Sequence, residues 1–440
     1  MTNGTRGPFV NGVLARFAEE HEGLPGAALP WLRRVRSDAI GRFAELGLPT
    51  TRHEDWKYTS VAAIERRAFD TPFDASSNGL AERALARHAL DGTHRLVFVD
   101  GRYAPGLSRL DTLPAGAQVG SLAAAIAARP DRLEDLFVAD DEAPANGFTT
   151  LNSALWADGA WIDLAPGVVL DMPIHLLFIT TRNDLASFPR NLVRAGAEAG
   201  VTLIEHHAGP DDASYFTDAV TRIVLGKGAR VAHAKLQQEG RRSFHIAAIH
   251  AEQAQDSRFG SHAFAFGGQL ARSEIATRLG AEDCEAKLVG LYVGSGRQHI
   301  DHHTCIDHAQ PRGTSREVYK GVLDGAARAV FNGRVIVRPD AQQTDAQQSN
   351  RNLLLSDSAE VDTKPQLEIW ADDVKCAHGA TVGQLDADQL HYLRSRGIDE
   401  AAARSLLIRA FAADTLEGIE HAALRARLES LLPGGLPEAA

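Results

Sequence analysis

The chain has 440 residues, 44% hydrophobic and 23% charged, the composition of an ordinary folded protein with room for about three average domains or one elongated core with appendages. Acidic residues number 57 against 46 basic ones, a formal charge of −11, and no long Lys/Arg run offers a footprint for a phosphate backbone, so nucleic acid is not an expected partner. No stretch of about 18 apolar residues is present to span a membrane, Met1 to Gly23 lacks the apolar core of a signal peptide, and a cytoplasmic protein is expected.

The first predicted element begins at Pro30. Trp31, Val35, Ala39, Phe43 and Leu46 recur every three or four positions, the stripe of an amphipathic helix, and Gly47 with Pro49 closes it. Arg52-His53-Glu54-Asp55-Trp56-Lys57-Tyr58-Thr59 follows, polar and aromatic with no clear period. Residues 1–150 are read as a mainly helical domain.

From about Trp161 the texture changes to short β-type runs: Val168–Leu170, His175–Ile179, Val201–Ile204, Val220–Leu225, Lys287–Val293 and Arg334–Val337. No ten-residue helical pattern separates them, which predicts a mainly β body over residues 151–383 instead of a parallel α/β sheet. A Gly/Ser-Ala turn recurs at Gly228-Ala229, Gly280-Ala281, Gly325-Ala326 and Ser358-Ala359, but its spacing shortens and defines no fixed repeat. A stack of β-coils with uneven loops fits this pattern, with a sandwich as the alternative.

Three polar constellations lie in the β region. In His299-Ile300-Asp301-His302-His303-Thr304-Cys305-Ile306-Asp307-His308, strand alternation puts His299, Asp301, His303, Cys305 and Asp307 on one face, either a metal-ligand set or an interface-lining polar ladder. Residues so spaced lie about 7 Å apart along an extended chain, so coordination needs curvature or a neighbouring strand. The Gln/Asn-rich run Ala341–Asn352 suits amide ladders between stacked strands better than a substrate groove, because no acid/base pair accompanies it.

The third constellation is the pair Cys376 and His378, which share a strand face with Val374. Two ligands are fewer than a zinc site needs, so the pair is an incomplete shell, a nucleophile beside a base, or half of a site completed by another subunit. The bland alternative is a packed thiol beside a hydrogen-bonded strand-end histidine. The three cysteines, Cys284, Cys305 and Cys376, contain no C-x-x-C pair and point to free thiols.

Residues 384–440 return to helical signals. Asp386 and Gln389 stand in capping-box spacing, with Leu390 and Leu393 on one face and Gly397 at the C-terminal cap. Asp399 opens a helix with the apolar stripe Leu406, Leu407, Ala410 and Phe411. Leu424, Leu428, Leu431 and Leu432 mark a third, stopped by Pro433-Gly434-Gly435. These helices form either a docking module or a cap on the last coil. Nucleotide chemistry has no support: Gly226-Lys227-Gly228 lacks the third glycine of a dinucleotide loop, and no Walker A sequence, Gly-x-Ser-x-Gly elbow or His-Glu-x-x-His helix is present.

Phe331-Asn332-Gly333-Arg334-Val335, Thr344-Asp345-Ala346, Asn352–Ser356, Thr363–Ile369, Asp373–Gly383 and Tyr392–Ile398 resemble, in that order, the SufB/SufD family of the SUF iron–sulfur cluster assembly system. Asp301-His302-His303-Thr304, Ser315-Arg316-Glu317, Tyr319–Val322 and Glu54–Thr59 are similar to the same family. Glycine after His378, where the SufB type carries glutamate, and the Lys375-Cys376 lead-in favour the SufD type. The resemblance implies a right-handed parallel β-helix flanked by N-terminal and C-terminal α-helical domains. It also implies a non-catalytic scaffold subunit, paired with a SufB-like paralogue or with a second copy when isolated, and carrying a SufC-like ATPase on its C-terminal helices. That ATPase would hydrolyse the ATP. No permanent cofactor is implied, only a transient iron–sulfur cluster shared with the paralogue. The family's cluster-related histidine carries over to His378 and the neighbouring thiol to Cys376. The competing expectation is a stand-alone β-helix enzyme acting on a polymer such as polysaccharide through the His299–His308 run, which the 6% aromatic content disfavours.

Overall fold

Alternating apolar and polar residues can bury one face of every strand if the chain coils upon itself, and that is how this chain folds. The computed structural model describes residues 7–71, 79–138 and 146–433. Its centre is a parallel β-helix of two strand stacks. One stack runs from His94–Val99 through Ile174–Ile179, Gly200–Ala208, Arg230–Gln238, Arg258–Ala265, Glu285–Gly294, Thr314–Leu323 and Asp345–Leu354 to Lys375–Gly383. The facing stack includes Arg190–Ala195, Phe216–Leu225, Phe244–Gln253, Leu270–Leu279, His299–His308, Arg328–Val337 and Glu360–Ile369.

The register never slips between coils. Phe216, Phe244, Leu270, His299, Arg328 and Glu360 are successive partners, so one coil takes 26 residues from Phe244 to Leu270 and 32 from Arg328 to Glu360. The Gly/Ser-Ala turns do not mark every coil, which is why their spacing showed no period. The constant feature is one corner with left-handed backbone, at Glu198, Gly228, Asp256, Asp283, Arg312 and Gln343, with φ between +57° and +67°. Each of these residues donates its N–H to a carbonyl of the next coil, as Arg312 does to Gln342. For a residue with a Cβ this conformation costs on the order of 1 kcal/mol, and the stacked hydrogen bonds offset it.

Inward positions fill the bore with Val201, Leu203, Ile223, Val231, Ile249, Leu288, Ile300, Ile306 and Val335, and with the larger Tyr292, Tyr319 and Phe331 toward the C-terminal coils. Val168–Leu170, read as a strand, makes only the isolated bridge Val169↔Gly200, and Val169 is exposed. The strand His94–Val99, within the stretch read as mainly helical, pairs in parallel with Ile174–Ile179 and begins the first stack.

The helix Pro30–Leu46 forms as expected and ends at Gly47 with φ +60°. Its buried side differs from the expected stripe. Leu32, Arg36, Ala39 and Phe43 are buried while Leu46 is 53% exposed, because Arg36 is drawn inward to the carbonyls of Ala154 and Pro25 and over the ring of Trp156. Pro8–Glu20 and Gly147–Leu155 seat Phe9, Val10, Phe148 and Leu151 in one cluster with Phe216 and Phe244. At the other end are the helices Ala387–Ser395, Glu400–Leu416 and Ala422–Leu431. Asp386 caps the first by accepting the N–H groups of Asp388 and Gln389. Gly434 and Gly435, expected to stop the third, lie outside the described residues. Among the described residues no helix is long and apolar enough to cross a membrane.

Several imidazoles are sealed into this body. Burial lowers His175 and His302 to about 3 and His245 to about 4. In the unfolded chain these groups protonate near pH 6.5. Below that pH the unfolded state therefore binds more protons than the folded one, and stability rises with pH up to about 6.5. Each such histidine withdraws about 2 kcal/mol between pH 7 and 5. Burial also raises the carboxyls of Glu317, to about 7, and of Asp158 and Asp218, and these oppose the trend but are outnumbered by the lowered histidines. The urea midpoint is expected to be lower at pH 5 than at pH 7, and His302→Gln to flatten that dependence by its share; an unaltered slope would contradict the buried neutral imidazole.

Candidate site on the terminal coil

The last two strands, Glu360–Ile369 and Lys375–Gly383, end the two stacks. No described strand covers them, so groups that are buried in every earlier coil meet solvent here. Register places Cys376 over Ala346, His378 over Gln348 and Ala380 over Asn350. Ala346, Gln348 and Asn350 are all buried in the bore. Cys376 and His378 therefore share the bore-facing side of the open coil, as the strand period predicts. Cys376 is half-buried, packed against the bore cluster, and burial raises its thiol pKa. His378 is exposed. The pair is thus one packed thiol and one accessible imidazole at the mouth of a closed bore.

Beneath this mouth lies a polar seam. Gln348 donates from Nε2 to Glu317 Oε2 at 2.7 Å, and Asn350 donates to the hydroxyl of Tyr292 at 3.1 Å. Only Gln348, Asn350 and Asn352 of the Gln/Asn run enter the bore, and between coils they bond to Glu317 and Tyr292 instead of forming the expected ladder of stacked amides, while Gln343 and Gln347 are exposed. Deeper still, Lys235 Nζ meets His245 Nε2 at 2.7 Å, and Glu239 accepts from Thr217 at 2.7 Å and lies 2.7 Å from His245 Nδ1. Burial lowers the Lys235 ammonium to about 8 against the pull of Glu205 and Glu239. Burial also resists ionisation of Glu239, yet His245 beside it brings the carboxyl down to about 2. These residues come together from different strands, Lys235 ten positions from His245 and Thr217 22 from Glu239, and carried no local signal.

The His299–His308 run divides between two environments. His302 and His308 face the bore, the latter 2.9 Å from Ser315 Oγ. On the outer face, Asp301 receives Thr59 Oγ1 at 2.6 Å and Arg272 Nη1 at 2.5 Å, with His303 Nε2 at 3.1 Å. Burial opposes ionisation of Asp301, but Arg272 and His303 hold it far below the ordinary carboxylate range. Arg272 lies 3.8 Å from the centroid of Trp56, and Glu54 reaches Lys364 on the last coil at 2.5 Å. The unperiodic stretch Glu54–Thr59 is therefore a strap laid across the coils, and the acidic centre of the run anchors it. Among the described residues no group of three or more His, Cys, Asp or Glu is placed to hold a metal.

The helix Glu400–Leu416 turns Ala403, Ile408, Ala412, Thr415 and Leu416 inward. Ile408 packs with Val322 and Leu353, and Lys320 donates to the carbonyl of Phe411 and to Asp414, both at 2.7 Å. The stripe singled out in the sequence lies mostly elsewhere: Leu406 is 49% exposed, Ala410 is exposed, and Leu407 and Phe411 are half-buried. The preceding helix Ala387–Ser395 buries no residue and exposes Tyr392. An apolar surface remains on the outside of these helices.

Residues 178–411 match the SufBD core domain of SUF system FeS cluster assembly, and residues 12–176 match the SufBD protein N-terminal region. An iron–sulfur cluster assembly SufBD family protein of Synechocystis is 36% identical over 405 residues, covering 89% of this chain and 88% of the relative. The iron–sulfur cluster assembly protein SufD of Escherichia coli is 36% identical over 399 residues, covering 88% and 90%. SufD of Bacillus subtilis is 25% identical over 442 residues, covering 98% and 99%.

The thiols can be separated experimentally. Burial lifts Cys305 to about 11 and also raises Cys284, which is fully buried. At pH 8 an iodoacetamide reagent is expected to modify Cys376 first, by about tenfold or more, and Cys376→Ser to remove that fast phase. A fast phase persisting in Cys376→Ser would place the reactive thiol at Cys305.

Proposed function

The chain belongs to the SufBD family of SUF iron–sulfur cluster assembly proteins, and on that premise we propose that it is a non-catalytic scaffold subunit whose terminal coil supplies half of a cluster-forming site. The observation that carries this reading is the mouth of the bore, where an exposed imidazole stands beside a half-buried thiol with too few ligands to close a shell. A second subunit of SufB type completes the set. In this reading a neutral His378 offers one nitrogen to iron of the nascent cluster, which is cargo and leaves. Cys376, packed and with a raised pKa, plays the lesser part.

A SufC-like ATPase docks on the helices after Asp386, supported by the exposed apolar side of Leu406 and Ala410 and by a helix that buries nothing of its own. ATP hydrolysis belongs to that partner. The assembly works in the cytoplasm.

Co-expression with both partners tests the site: His378→Ala is expected to leave the complex intact and lower cluster assembly by about tenfold or more, as loss of a ligand does. An intact complex assembling clusters at the normal rate would refute the role. Leu406→Asp tests the docking face separately. It puts a charge into an apolar contact and is expected to weaken ATPase binding by about tenfold or more, with paralogue pairing retained; unchanged ATPase binding would move the docking site elsewhere.

A further inference from the structure

His378 stands at the head of a column. In-register stacking sets it on Gln348 and Gln348 on Glu317, all on the bore side. Gln348 is 4% exposed and donates Nε2 to Glu317 Oε2 at 2.7 Å. Above pH 7, where Glu317 is mostly ionised and can only accept, this bond sets which way round the amide lies. On the facing stack a Cβ at Gly333 would collide with Gln348 Nε2, and glycine there leaves the amide its space. Gln348 Oε1 is left buried with no hydrogen-bond partner among the described residues. Leaving a buried acceptor unpaired is unfavourable, and an amide held from two sides with its oxygen unmet is built to receive a donor. The next residue up the column is His378, one rung or about 4.8 Å away.

We propose that Gln348 Oε1 is the acceptor that orients His378: one ring N–H donates to it, which fixes the tautomer and turns the other nitrogen, with its lone pair, toward the incoming iron. Gln348 is then a positioning residue, acting through the imidazole and touching no cargo itself. Metal-bound histidines are oriented by such a second hydrogen bond, and its loss commonly costs about 10–100-fold in affinity or activity. The inference rests on the reading of His378 as a ligand.

The test uses the full chain with ¹⁵N-labelled histidine, the His378 signals being identified by their absence in His378→Ala, and in parallel the co-expressed complex with its partners. Gln348→Leu is expected to shift the tautomer populations of His378 toward those of a solvated imidazole and to lower cluster assembly about tenfold, with the complex intact. Glu317→Gln combined with Gln348→Leu is the second variant, since it removes the carboxylate that leucine alone would strand and keeps the fold. Glu317→Gln combined with Gln348→Glu, which exchanges the two groups and retains an acceptor beneath His378, is expected to restore most of both readouts. Unchanged tautomer populations in the leucine variants would overturn the hydrogen bond. Normal assembly by Gln348→Leu beside a defective His378→Ala would overturn the positioning role alone. Normal assembly by His378→Ala would overturn the ligand reading and the positioning role with it.

Discussion

Each coil of the solenoid sets its residues directly over those of the coil below, and this unbroken register governs everything else in the molecule. A residue facing the bore has fixed neighbours, the one beneath it and the one above. An apolar position in a column can then be filled by Leu203, Leu288 or Ile300 without further specification. A polar residue has to be answered along its own column or from the facing stack, as Glu317 is by Gln348 and Lys235 by His245. The bore is thus a core in which partners are chosen by vertical neighbourhood, and an isolated polar substitution there leaves a group unpaired at a cost of about 1–3 kcal/mol.

The same register explains why the candidate side chains become accessible on the last coil. Every earlier bore position is covered by its successor, and the strand Lys375–Gly383 has none among the described residues. Side chains that elsewhere only fill space become accessible there, still held by the ordered column beneath them. The site needs no cleft or loop of its own. It is an unfinished layer, and the proposal of a ligand set completed from outside rests on that incompleteness of the stack. The helix Glu400–Leu416 packs on the flank of the strands Glu285–Gly294 and Thr314–Leu323, which leaves the mouth of the bore uncovered by that packing.

The sequence was most legible where signals are local. Gly47 closing the helix from Pro30, Asp386 capping the helix from Ala387, and the alternation that puts Cys376 and His378 on one face all depend on residues within a few positions of each other. The coil repeat was hidden because the corner demands a backbone conformation, not a residue type, and Glu198, Gly228, Asp256, Asp283, Arg312 and Gln343 each satisfy it. The helical stripe was misplaced at Leu46 because Arg36, which counts as polar in any periodicity, is buried by its own hydrogen bonds. The column under His378 was invisible for a different reason. Gln348 and Glu317 become its neighbours only once coil length is known, and that length varies. Resemblance to a family drew attention to Glu54–Thr59, but only the contacts of Trp56 and Thr59 with Arg272 and Asp301 give the motif a physical task.

That strap also bears on how the molecule is made. Thr59 closes onto Asp301, 242 positions later, and Glu54 onto Lys364, 310 positions later. Whatever the N-terminal segment does on leaving the ribosome, it cannot seat until nearly the whole solenoid has been synthesised. Contacts of such separation slow folding. The order of manufacture is thereby inverted, because one of the earliest segments made is fastened among the last. Its fastening points lie on the coils nearest the unfinished layer, so a chain truncated before them has nowhere to tie its strap.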